Sequence, residues 1–220
     1  MDIRLENDSS LADRVYLALE DAIMSGQITL GGRLLENEIA EKLSVSRAPL
    51  REALRRLHFE GLAETIPRRG TYVIKPSRQD IVDLLQVREE LECLAARLAA
   101  ELISDSELSY LANALDRIGK LLARNCKGGY PHHDIDFHQT VIQASGNRKV
   151  QQVMTGMYRQ LRLVRLMSGA RADRAPVAHR EHLAIYEGLQ TRKPAAAEET
   201  MRRHLKSSAE NILNTIQAKE

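Results

Sequence analysis

The chain has 220 residues, 43% hydrophobic and 28% charged, with a formal net charge of +2. That length suits two modest domains, each able to bury a core, and the composition excludes a disordered or low-complexity chain. No apolar run is long enough to span a membrane, the N-terminus is polar and acidic unlike a signal peptide, and Cys93 and Cys126 are too few for a disulfide framework. The expectation is a folded protein of the reducing cytoplasm.

Residues 10–25 predict a first helix, with Leu11, Val15, Leu19 and Ala22/Ile23 as its apolar stripe and Gly26 as its stop. A short helix follows over 36–43, with Ile39, Ala40 and Leu43 on its inner face, and Ser44-Val45 make a tight turn. Ser46 is placed to cap the next helix through its hydroxyl. Pro49 falls in that helix's first turn, where a missing N–H costs nothing. Leu50, Ala53, Leu54 and Leu57 recur at helical spacing and face a core, while Arg47, Arg51 and Arg55 step by four along another, solvent-tilted side. Gly61 supplies the stop. Two strands, 62–66 and 71–75, flank the basic turn Pro67-Arg-Arg-Gly70.

Helix, turn, arginine-bearing helix and hairpin in that order describe a winged helix-turn-helix, whose second helix enters a DNA major groove. Arginine suits that task because its planar fork grips guanine O6 and N7 together, or a phosphate. Arg68 and Arg69 at the wing tip are placed to reach a minor groove or the backbone. Charge is distributed accordingly: from Arg47 to Lys75 there are seven Lys or Arg against three Glu, whereas residues 1–46 are acidic. The string 46–57, then Glu60-Gly-Leu62 and Arg69-Gly-Thr-Tyr-Val73, with the lead-in Gly26-Gln-Ile28 and Gly31-Gly-Arg-Leu34, resembles the N-terminal domain of GntR-family bacterial transcription regulators. The resemblance implies that Ser46, Arg47, Arg51 and the wing's Gly70 approach DNA. With Ala48, Arg55, Arg68 and Arg69 they make up the expected DNA-binding surface. That family often has arginine within the 36–38 segment; here the residue is Asn37, so that contact is not carried over.

Pro76-Ser77 marks the expected boundary between a DNA-binding domain, 1–76, and a second domain, 77–220. Ser77 with Asp80 reads as a helix-starting cap, and Ser104 with Glu107 as a capping box. Six helices are predicted, over 78–102, 104–125, 132–145, 147–168, 176–191 and 195–218, with breaks at 128–131, 145–146, 168–169 and 192–194. Long helices with short links form an antiparallel bundle, an architecture that often buries a ligand or metal between its helices. The fold class is therefore mainly α.

Seven histidines are present: His58, His132, His133, His138, His179, His182 and His204. Asp134 and His138, four apart on one helix face, have metal-ligand spacing, although such a pair on its own is usually a surface hydrogen bond. His182 has Ile185 beside it, and His204 has Met201 and Leu205, so both point inward. Buried imidazoles are costly without partners. Asp134-x-x-Phe-His138, then Ser145-Gly-Asn147, Glu181-His182 and His204, is similar to the all-helical effector domain of the FadR subfamily of GntR regulators, the FCD domain. The similarity implies a metal held by Asp134, His138, His182 and His204. His179 is a rival ligand, His132 and His133 belong to the solvated helix start, and His58 belongs to the DNA domain. Three imidazoles and a carboxylate suit Zn²⁺ or Ni²⁺, with Mn²⁺ or Fe²⁺ as further options, and do not suit Mg²⁺.

A small carboxylic-acid effector would then chelate the ion and touch Arg88, which is alternatively an ion-pair partner of Glu92. Asn147 is a helix cap first and a pocket residue second. These features predict a metabolite-responsive transcription regulator, most naturally a repressor. It would act as a homodimer on a palindromic operator in double-stranded DNA. Three alternatives stay open at the level of sequence: a purely structural metal, a metal-dependent enzyme acting on a small acid, and a partner-binding protein whose winged helix contacts protein.

Overall fold

The computed structural model describes residues 10–124, 130–168 and 174–218, the side chains of 130–135 apart. By contacts the chain divides into two compact units: Met1–Pro76 with Arg159–Leu166, and Ser77–Tyr158 with Met167–Glu220. The first unit thus takes in a piece of a late helix that the sequence assigns wholly to the second domain.

In the first unit, α1 (Leu11–Met24) begins at a reciprocal cap between Ser10 and Asp13. Its buried face is Ala12, Val15, Tyr16, Leu19 and Ile23. Leu11 does not join it and stays 47% exposed, because the face centres on the 12–16–19–23 line and Leu11 lies outside it. The Tyr16 hydroxyl donates to Glu60, and the Arg56 guanidinium lies 3.9 Å from the Tyr16 ring centre. Then come β1 (Arg33–Leu34), α2 (Glu36–Leu43), α3 (Arg47–Phe59), β2 (Ala63–Ile66) and β3 (Gly70–Val73). The three strands form one antiparallel sheet in the order β1-β3-β2. β1 was not expected; two residues are too few to show alternation, and its pairing with β3 is fixed by the tertiary fold. In α2 no residue is fully buried. Ile39 and Ala40 pack partly against the core, but Leu43 is 37% exposed, at the end where left-handed Ser44 (φ 52°) redirects the chain. Leu50, Ala53, Leu54 and Leu57 of α3 are buried among Val15, Leu19, Ile23, Leu62 and Val73. Leu163, from the late segment, joins the same core.

The second unit is helical: α4 (Arg78–Leu102), α5 (Asp105–Ala123), α6 (Tyr130–Ala144), most of α7 (Arg148–Ser168), α8 (Ala175–Gln190) and α9 (Pro194–Gln217). Capping boxes start α4 and α5 at Ser77/Asp80 and Ser104/Glu107. Helix α6 starts at Tyr130, so Pro131 falls in its first turn instead of ending the preceding break; a proline there forfeits no helical bond. Alanines 95, 96, 99 and 100 give α4 a flat buried face, and Phe137, Val141, Ile185, Leu189, Met201 and Leu205 complete the core.

One close approach sets the spacing of α8 against α9. A Cβ on Gly188 would lie 2.9 Å from the backbone N and Cα of Ala197. Since α8 carries His182 and α9 carries His204, this contact helps fix the distance between those two rings. Gly188→Ala is expected to lower stability by about 1–3 kcal/mol by overpacking, and to weaken metal binding. Thermal melts with and without added Zn²⁺ check both effects.

Candidate DNA-reading surface and metal centre

The outer side of α3 carries Arg47, Arg51 and Arg55, all exposed, with Ser46 and Ala48 exposed beside them. The leucines on the opposite side hold the helix to the core, so the arginines project from a rigid support. Ser46 occupies the N-cap position, but its hydroxyl makes no cap bond. The helix start rests instead on the extended backbone of Ser46 and on Pro49 in the first turn. Arg51 Nε donates to Glu36 Oε2 at 2.9 Å.

At the wing, Arg68 (φ 63°) and Arg69 are exposed in the turn, and Gly70 (φ 113°) begins β3. The φ of 113° favours glycine here, and a Cβ would lie 3.2 Å from Nε of the flexible Arg33 side chain. Arg33, on the unexpected strand β1 and exposed, adds a third cation to the wing that sequence spacing did not point to.

In the helical unit His138, His182 and His204 are 0%, 0% and 2% exposed. Each offers a ring nitrogen, and these atoms lie within 4.8 Å of one another. Nε2 of His204 is 3.1 Å from Nε2 of His138 and 3.3 Å from Nε2 of His182. The other face of two rings meets carboxylates: Glu92 Oε2 is 2.5 Å from His138 Nδ1, and Glu181 Oε2 is 2.8 Å from His204 Nδ1. Phe137 stacks on His182 with centroids 4.3 Å apart and planes 12° from parallel.

The carboxylates are themselves held. Arg88 Nε donates to Glu92 Oε1 at 2.7 Å, with both side chains buried, and the Tyr158 hydroxyl donates to the same oxygen at 3.4 Å. Arg174 Nη2 donates to Glu181 Oε2 at 2.5 Å. Burial alone would push the Glu92 carboxyl up, but Arg88 and His138 outweigh it and hold the group well below the usual carboxylate range. Glu181 behaves alike: burial raises it, and the bonds to His204 and Arg174 bring it down to about 2.

The donor set fits a cation. A neutral imidazole that gives its Nδ1 proton to a carboxylate presents a bare lone pair at Nε2. His138 and His204 each set Nδ1 against a carboxylate oxygen, which turns their Nε2 atoms toward each other, 3.1 Å apart. A shared proton or a coordinated cation satisfies two ring nitrogens at that distance, and a cation also engages the Nε2 of His182. Carboxylate-backed imidazoles are the usual outer arrangement around a metal.

Asp134, the fourth expected ligand, lies outside the residues whose side chains are described, as do His132 and His133; Cys126 is outside the described residues altogether. His179 stands apart from the cluster, half-buried in a groove between α5 and α8 where it meets Gly119. His58 bonds the carbonyl of Ala63 beside α3. Arg88 reaches the site through Glu92. Asn147 caps α7, its Oδ1 accepting from the N–H groups of Lys149 and Val150. Spacing in the sequence does not mark Glu92, Glu181 or Phe137 as site residues. Glu181 is the chain neighbour of His182 yet partners His204 on another helix, a choice that spacing along one helix cannot show.

A winged helix with an arginine-lined helix on its outer side, followed by a helical unit with three buried, clustered histidines, defines the class of DNA-binding regulators with a helical second domain. Residues 11–73 match the family described as bacterial regulatory proteins, gntR family, and residues 83–207 match the FCD domain. The chain belongs to the GntR family of transcription regulators, in the group that carries an FCD domain. It is 28% identical to the HTH-type transcriptional repressor RspR of Escherichia coli K12, over 96% of this chain and 93% of that protein. It is 30% identical to the HTH-type transcriptional regulator YdfH of E. coli O6:H1, over 90% and 87%. Among solved structures, a GntR regulator from Rhodococcus sp. RHA1 matches with a TM-score of 0.76 and 27% identity, covering 94% of this chain and 99% of that one. These relatives are transcription regulators, not enzymes. Among the described residues no helix is long and apolar enough to cross a membrane.

Proposed function

We propose that this DNA-binding regulator is a homodimeric repressor whose hold on a palindromic operator is controlled by a small carboxylic acid, bound at a divalent metal in the helical unit. The observation that carries the sensing half is the convergence of three buried imidazoles within 4.8 Å. His138, His182 and His204 would hold the ion, with Asp134 as the fourth ligand. Zn²⁺ or Ni²⁺ fits this nitrogen-rich set best, with Mn²⁺ or Fe²⁺ next. A bound ion would offer remaining coordination positions to the acid. The chain's own part is to orient: Glu92 fixes the His138 ring, Glu181 fixes that of His204, and Phe137 fixes that of His182. Arg88 lends positive charge from behind Glu92. Support for repression comes from RspR, which is named a repressor. For DNA, the expected contacts are Ser46, Arg47, Ala48, Arg51 and Arg55 in the major groove, and Arg68, Arg69 and Gly70 at the wing. Two-fold pairing lets two such heads read a palindrome.

Metal analysis tests the site. Full-length protein loaded with Zn²⁺ or Ni²⁺ and dialysed should retain about one ion per chain, and His182→Ala should retain little. Unaltered metal content in His182→Ala would remove the proposed ligand set. Operator binding by metal-loaded protein, measured against a panel of small organic acids, tests the sensing; an active acid should weaken it several-fold.

A further inference from the structure

Of Arg47, Arg51 and Arg55, Arg51 is the one with an ion pair among the described residues: its Nε donates to Glu36 Oε2 at 2.9 Å. The partners come from different helices, Glu36 being the first residue of α2 and Arg51 lying in the second turn of α3. The side chains are 60% and 35% exposed, so the pair is a surface feature and adds little to stability. Its charge is adverse to the reading helix's task, because a carboxylate beside the DNA face weakens attraction to phosphates. What the contact does supply is orientation. A guanidinium can donate in pairs from its lateral edge, Nε with one Nη, or from its end, Nη1 with Nη2. Glu36 occupies Nε, and the edge it does not use is the end, whose two N–H groups match guanine O6 and N7.

We propose that Glu36 is a positioning residue that commits Arg51 to end-on reading of a guanine and withholds its lateral edge from phosphate. The inference rests on α3 being the recognition helix, and the test separates the two claims. Operators are selected from random duplexes with the full-length protein. Single-base variants and an unrelated duplex are then titrated against wild type, Arg51→Ala, Glu36→Ala and Glu36→Gln, with thermal melts alongside.

Wild type should prefer one guanine by tenfold or more. Arg51→Ala should lose that preference. Glu36→Ala should keep the wild-type melting temperature, lose most of the preference, and bind the unrelated duplex several-fold more tightly. Glu36→Gln, whose amide oxygen still accepts from Nε, should retain the preference while also binding the unrelated duplex more tightly. Glu36→Ala with the preference intact overturns the positioning role. So does a parallel loss of both affinities with a lowered melting temperature. An intact preference in Arg51→Ala instead overturns the reading of α3.

Discussion

Glu92→Ala should destabilise the helical unit by about 3–5 kcal/mol, the usual cost of breaking a buried ion pair by removing one member. Glu92 and Arg88 are both buried, and the same carboxylate lies against His138 Nδ1. Its removal therefore takes a buried ionic partner from Arg88 and a contact from the Nδ1 side of the His138 ring. The second consequence is a metal affinity lower by about 10–100-fold, the range seen when an outer partner of a ligating histidine is lost. Chemical denaturation of metal-free protein checks the first, and competition with a chelator checks the second. Glu92→Gln separates them, since its amide keeps the volume and an oxygen acceptor but lacks the charge that Arg88 requires. An apo stability within about 1 kcal/mol of wild type would show that the Arg88–Glu92 pair is not the buried charge pair described.

Arg51→Ala should cost about 1–3 kcal/mol of specific DNA binding and relax the preference at one base pair. The side chain is 60% exposed and contributes nothing to the Leu50–Leu57 core, so folding should be unaffected. Arg68→Ala or Arg33→Ala at the wing should differ in kind. If they touch phosphates, they weaken binding to all sequences alike and reduce the steepness of its salt dependence. Titrations of selected and unrelated duplexes at several salt concentrations distinguish the two patterns. Unchanged operator affinity in Arg51→Ala would refute α3 as the reading helix.

Much of this architecture is written locally in the chain. Ser77 with Asp80 and Ser104 with Glu107 are caps that each span four residues, so the starts of α4 and α5 are legible from sequence. Leucines at helical spacing place the buried side of α3. Local signals fail where a distant neighbour decides. Arg33-Leu34 becomes a strand only because β3 is there to pair with it. Leu11 and Leu43 look like core residues by spacing, yet they sit at helix ends beyond the packed face. Ser46 has a capping residue's identity but makes no cap bond. In the candidate site, the apolar neighbours of His182 and His204 show that both point inward, and the helices bring them to His138. Which carboxylate backs which ring depends on how α4, α6, α8 and α9 pack, so Glu92 and Glu181 could not be assigned from spacing.

The most direct test of the account is the metal content of the full-length protein after loading with Zn²⁺ or Ni²⁺ and removal of excess ion, compared with His204→Ala. His204 contacts both other imidazoles, so the account predicts about one ion per chain in the wild type and close to none in the variant. Equal metal in both proteins, or none in the wild type, would contradict it.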